Sequence, residues 1–87
     1  MNRRKRNDQN IRQKPVKVQA AHWTGNNFDE ISSFTNGNIF QYDEKVVIKT
    51  HAGYRYIEKG DWIIRGIKGE FYLCKPDIFE QTYEEVN

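Results

Sequence analysis

The feature that most restricts how this chain can fold is the run at residues 60–83, GDWIIRGIKGEFYLCKPDIFEQTY. Asp61-Trp62-Ile63-Ile64-Arg65 is short, bulky and β-branched, with glycine on either side, which is the pattern of a strand bounded by turns. Trp62, Ile63 and Ile64 break strict alternation, so both faces of that strand are expected to be partly covered. Gly66-Ile67-Lys68-Gly69 supplies two residues able to take positive φ at little steric cost. Glu70-Phe71-Tyr72-Leu73-Cys74 then returns as the second arm of a hairpin. Pro76 has no backbone donor and a pre-set φ, so it suits the first turn of a helix, and the Asp77 carboxylate favours the positive helix end. The run predicts one or two helical turns here, then a last edge strand over residues 82–86.

Upstream, the period of the apolar residues changes twice. Val16 to Trp23 begins in alternation and reads as a first strand. Thr24-Gly25-Asn26 is a turn cluster. Asn27 is a good N-cap, with Glu30 three residues on as its capping-box partner. Phe28, Ile31 and Phe34 then fall on one helical stripe, and Asn36-Gly37-Asn38 stops the helix. This predicts one short amphipathic helix over residues 28–35. Beyond it the period is two: strands at 39–42, 46–50 and 54–57, separated by Asp43-Glu44-Lys45 and His51-Ala52-Gly53, with Tyr54 and Tyr56 on one face. Tight turns between strands imply antiparallel pairing. The expected class is α+β: a small antiparallel sheet of about six strands, one helix after the first strand and a helical turn near the C-terminus.

Eighty-seven residues fit one domain with a small core. Twelve aromatic residues partly offset the small size, because each can bury roughly 150–250 Å². The core is expected to be built from Trp23, Phe28, Ile31, Phe34, Trp62, Ile64, Phe71 and Phe79. The net charge of +2 conceals a division. Residues 1–17 carry seven bases and one acid, and the rest carry seven bases and eleven acids, so a +6 arm precedes a −4 domain. Residues 1–14, with almost nothing apolar to bury, are expected to be a disordered basic arm; residues 15–87 form the single α+β domain.

Several classes are disfavoured. The one cysteine, Cys74, allows no internal disulfide and no cysteine metal cluster. No apolar run approaches the length of about eighteen residues that a membrane span needs, and no apolar segment follows the basic start as in a secretory signal. A cytoplasmic protein with no membrane association is expected.

Two blocks carry a family resemblance: KPVKVQAAHWTGNN at 14–27 and GDWIIRGIKGEFYLCKPDIFEQTYE at 60–84. Together they resemble a widespread family of small uncharacterised phage and prophage proteins. Members open with a basic-proline strand ending in Trp-Thr-Gly. They close with a Gly-Asp-aromatic strand, a Gly-Glu hairpin, Cys-Lys-Pro-Asp and Phe-Glu-x-Thr-Tyr-Glu. The blocks cover about half the chain, and the middle matches only in pattern. The resemblance implies a phage or prophage accessory protein in a bacterial host cell. It brings no activity that could be assigned to any residue. The chain departs from the family in its extra polar, basic lead.

The residues themselves offer few chemical constellations. His22 and His51 have no acid or cysteine at ligand spacing, whereas zinc takes three or four such ligands, so neither a metal nor another cofactor is expected. Lys75 beside Cys74 could lower the thiol pKa, but no base accompanies it, and a buried hairpin cysteine is the simpler account. Gly66-x-x-Gly69 with Lys68 could cradle a phosphate only if a helix followed, and a strand does. Asp61, Glu70 and Asp77 could be a carboxylate cluster, but turn-end roles explain Asp61 and Glu70 better. Tyr54, Tyr56, Phe71 and Tyr72 could form a stacking platform for single-stranded nucleic acid; most are expected in the core.

The sharpest hint is the basic run Arg3, Arg4, Lys5 and Arg6 with Arg12 and Lys14, residues able to meet phosphates through counterion release. A solubilising tail is the plainer account of that run, and the acidic domain favours a protein partner, so the leading expectation is non-enzymatic binding of a host cytosolic protein by the sheet surface or edge. The alternative is weak, sequence-independent nucleic-acid binding through the arm and sheet aromatics. A small enzyme or nucleotide-sequestering protein comes third, for want of paired catalytic groups.

Overall fold

The computed structural model describes residues 16–86. The basic arm, with Arg3, Arg4, Lys5, Arg6, Arg12 and Lys14, lies outside them. The element order is β1 (Gln19–His22), α1 (Phe28–Phe34), β2 (Ile39–Tyr42), β3 (Lys45–Thr50), β4 (Gly53–Ile57), β5 (Trp62–Arg65), β6 (Phe71–Cys74) and α2 (Pro76–Thr82). The protein is α+β, with six strands and two helices, and all strand pairs are antiparallel.

The six strands divide into two three-stranded sheets, β1-β5-β6 and β2-β3-β4. The second is a simple meander, because Asp43-Glu44 and His51-Ala52 are turns too short for anything but hairpins. Asp43 and Glu44 both take positive φ (53° and 63°), the backbone that a two-residue hairpin turn demands. The first sheet joins distant segments: Ala21 lies opposite Ile63, which lies opposite Leu73. The sheets meet where the His51 amide donates to the Phe71 carbonyl, 2.9 Å away.

Strand alternation then decides what is inside. Ala21, Ile63 and Phe71 of the first sheet and Ile39, Ile48 and Ile57 of the second share one buried cluster with Trp23 and with Ile31 of α1. Phe28, Phe34, Val46 and Leu73 pack at its margin. Of the expected core, Trp23, Ile31, Ile64 and Phe71 are buried, while Phe28, Phe34, Trp62 and Phe79 are only half-buried. The correction has a physical reason. In β-sheets this small the fully enclosed positions are narrow, and compact β-branched isoleucines fill them. The large rings sit at the rim, where they can cover surface without being enclosed.

A second correction concerns the C-terminus. No strand forms over residues 82–86. The helix that starts at Pro76 runs to Thr82, where Tyr83 turns extended and caps it by donating its amide to the Phe79 carbonyl. A strand from Thr82 would part Tyr83 from Phe79, which in turn stacks on Trp62. The Phe79 and Trp62 rings lie parallel, 3.9 Å apart, and Phe79 also stacks on Tyr83 at 5.1 Å. Local helical spacing of Phe79 and Tyr83 keeps both on one stripe.

Arg65 ties the first sheet to α1. Its guanidinium donates to the Gln19 side chain (2.6 Å) and to the Phe34 carbonyl, and lies over the Phe34 ring at 4.6 Å. A cation at the last helical turn complements the negative end of the helix. At the other end, Asn27 departs from the capping box read in the sequence. Its side chain makes no bond to the helix amides. Instead it accepts from the Thr24 amide (2.9 Å) and donates to the His22 carbonyl and to Glu30 (both 2.8 Å), so it knits the preceding turn together.

Candidate functional site

The groups that looked chemically active are mostly engaged in holding turns. Asp61 is buried, and its two carboxylate oxygens accept from the Glu58 amide (2.9 Å) and the Lys75 ammonium (3.2 Å). Lys75 also pairs with Glu58 at 2.9 Å. Those contacts hold the Glu58 carboxyl below its ordinary pKa and lift that of Lys75, in both cases mainly through their mutual hydrogen bond. With its charge committed to two carboxylates, Lys75 does not activate Cys74. Burial first, then the charges of Asp77 and Asp61, push the Cys74 thiol upward, away from the thiolate a nucleophile requires.

The turn at 66–69 is equally unsuited to an anion. The Lys68 amide, which a phosphate would need, already donates to Glu70 at 3.0 Å. A Cβ at Gly66 would come within 2.6 Å of that carboxylate, so the glycine is there to admit Glu70. Tyr72 donates to the other Glu70 oxygen at 2.9 Å. Asp77 stands apart in the first turn of α2. His22 is exposed, stacked on Trp62 with centroids 4.5 Å apart, and within 3.1 Å of the Gly60 carbonyl. His51 packs on Tyr72 at 4.1 Å. Among the described residues, no three His, Cys, Asp or Glu side chains gather so as to hold a metal ion. Nor is any helix there long and apolar enough to cross a membrane.

What remains is the outer face of β2-β3-β4. The register puts Phe40, Val47 and Tyr56 in one row across the sheet, Tyr42 and Lys45 in the row toward the Asp43-Glu44 turn, and Lys49 and Tyr54 in the row beyond. By alternation all of these point away from the core. Phe40, Tyr42, Tyr54 and Tyr56 are between 43% and 62% exposed. Together with Arg55 they line an open, shallow groove of about 390 Å³ around buried Val47. Phe40 meets Tyr54 edge to face at 5.9 Å, and the Lys45 ammonium lies over Tyr56 at 5.6 Å.

The four aromatics suspected as a platform therefore part company. Tyr54 and Tyr56 are on the open face, Phe71 is in the core, and Tyr72 is half-buried against His51. Sequence reasoning missed Phe40 and Tyr42 as members. The available signal was their spacing of two, opposite to Ile39, in a strand that must pair with its neighbour. The six arm residues lie outside the described part.

No family model, curated protein or solved structure matches the chain.

Proposed function

We propose that this chain is a non-enzymatic binding protein of the phage and prophage type its two sequence blocks resemble, acting on nucleic acid in the bacterial host cytosol. Binding is weak and independent of sequence, and its contact surface is the outer face of β2-β3-β4, assisted by Arg3, Arg4, Lys5, Arg6, Arg12 and Lys14. The observation that carries the reading is the side-chain content of that face: four exposed rings with Lys45 and Lys49 among them and no carboxylate on the three strands. Exposed tyrosine and phenylalanine suit a protein partner as well, and the acidic charge of the domain put a host protein first in the expectations from sequence. Lysine, however, is depleted at protein interfaces, whereas a nucleic acid uses both parts, rings for bases and cations for phosphates.

The test is retention of labelled DNA and RNA by the full chain as salt is raised. Affinity is expected to fall on the order of a thousandfold between about 50 and 200 mM salt if five or six phosphates are neutralised. No retention at about 50 mM salt overturns the reading. A photo-crosslinking residue at Tyr54, expressed in host cells, identifies the partner class. Adducts removed by nuclease support nucleic acid. Adducts removed only by protease restore the host-protein reading.

A further inference from the structure

Resting on that reading, we infer that the outer face of β2-β3-β4 takes single-stranded rather than duplex nucleic acid, with bases lying on Phe40, Tyr54 and Tyr56 and a phosphate on Lys49.

The argument begins with how charge is distributed over the face. The row of Tyr42 and Lys45 lies beside the turn that carries Asp43 and Glu44. Glu58 follows β4 at the same end, and the Lys45 ammonium is already placed over the Tyr56 ring. A phosphate there would meet carboxylates. The other two rows, Phe40-Val47-Tyr56 and Lys49-Tyr54, contain a lysine and no acid. They end at the His51-Ala52 turn, which carries no acid either. The face is thus polarised, and its Lys49 end is complementary to an anionic strand.

The second step is shape. Side chains on one face of a sheet recur roughly 7 Å apart along a strand, two residues at about 3.4 Å each, and adjacent strands are about 4.8 Å apart. Around buried Val47, Phe40 and Tyr54 meet edge to face and Tyr56 carries Lys45 over its ring, yet all three stay exposed and leave apolar surface open. A base can use such a surface only if its own π-face is free, as in a single strand. In a duplex both faces of each internal base are covered by neighbours, and the rings would meet a sugar-phosphate edge that gives them no partner. The tyrosine hydroxyls and the flanking Arg55, which lines the groove while donating to the Tyr54 carbonyl at 2.9 Å, leave the rim polar. An apolar partner such as an amphipathic helix would find only Phe40 and Val47 without a polar or charged group.

The experiment uses the full chain with fluorescein-labelled oligo-dT, oligo-U and a DNA duplex of equal length, read by anisotropy at about 50 mM salt and above. The strands are expected to bind about tenfold or more tightly than the duplex, because stacking on two or three rings contributes to one and not the other. Tyr54→Ala with Tyr56→Ala is expected to weaken the strands about thirtyfold or more, with a much smaller effect on the duplex and at most a few degrees' shift in melting temperature. Lys49→Gln is expected to lower the slope of affinity against salt by about 0.7, one phosphate's worth on a single strand. Equal affinity for strand and duplex, indifferent to the tyrosine changes, overturns this inference and leaves the proposed function standing on phosphate contacts alone. Tighter binding to the duplex overturns it too. No binding to any of the three overturns both.

Discussion

The two sheets are alike in size and pairing, and each presents one face to the shared core. They differ in what happens to the other face. On the first sheet Trp62 points outward but stands half-buried in a column of rings, with His22 on one side and Phe79, then Tyr83, on the other. On the second sheet Phe40, Tyr42, Tyr54 and Tyr56 point outward, and no described helix or strand covers them. Chain order accounts for the contrast. β6 is followed after one residue by a proline-led helix that can fold straight back, whereas β2-β3-β4 is a meander whose turns leave no residues to spare. An aromatic ring on the outside of a strand is therefore neither core nor site by itself. It becomes one or the other according to whether the chain returns over it.

The comparison can be broken at four points, beginning with the inner faces. Ile63 and Ile48 are fully buried at the centres of the two sheets. Replacing either with Ala is expected to cost about 2–5 kcal/mol in urea unfolding. For a domain holding about 5 kcal/mol, that leaves little folded protein. A cost under about 1 kcal/mol for one of them would mean that its sheet adds little to the shared core.

The outer faces should diverge next. Trp62→Ala removes the middle of the ring column and is expected to cost about 2–4 kcal/mol, somewhat under the range for a wholly buried ring. Tyr56→Ala on the open face should stay within about 0.5 kcal/mol. If Tyr56 proved as costly as Trp62, the open face would be structural and the asymmetry lost.

The link between β4 and β5 tests what anchors the covered side. Asp61→Ala leaves the Glu58 amide without its acceptor and Lys75 without one of its carboxylates. Its expected cost is about 1–3 kcal/mol, and Asp61→Asn, which keeps an acceptor oxygen, should recover part of it. Equal losses for the two would place the effect in the charge.

The smallest effect is a pH dependence on the first sheet's side. The Glu70 carboxyl is held below its ordinary value, near 4.5, first by its own backbone amide and then by the Tyr72 hydroxyl. A carboxyl depressed in the folded state binds its proton more readily when unfolded. Its contribution is present above the unfolded pKa and is lost as pH falls through the folded one. Melting temperature is thus expected to drop below about pH 4.5, and less so in Glu70→Gln. Tyr72, raised chiefly by that same hydrogen bond, works in the opposite sense: its contribution fades as pH rises above about 10. An identical acid limb in Glu70→Gln would assign the acid sensitivity to other carboxyls.

Much of the fold was legible locally. The strand at Ile39–Tyr42, the hairpin around Gly66 to Gly69 and the helix starting at Phe28 all follow from short-range pattern and turn chemistry, and the structure places them accordingly. The expected strand at 82–86 failed because Thr82 completes the last turn of α2, where the Tyr83 amide bonds the Phe79 carbonyl and the two rings stack. The candidate site was half legible. Tyr54 and Tyr56 were visible as a pair on one face, but which face was open was not.

The sequence by itself determined the α+β class, the antiparallel pairing imposed by tight turns, and the division of charge between residues 1–17 and the remainder. Each of these depends on neighbours in the chain or on simple counts. Only the tertiary structure decided that six strands make two sheets, because Ala21 finds Ile63 across nearly half the chain. It also decided that isoleucines rather than the larger rings fill the centre, and that Trp62 is covered while Tyr54 is bare. Those outcomes turn on which face of each strand meets the other sheet. Alternation fixes the two faces of a strand relative to each other, but only packing against distant segments says which one is in.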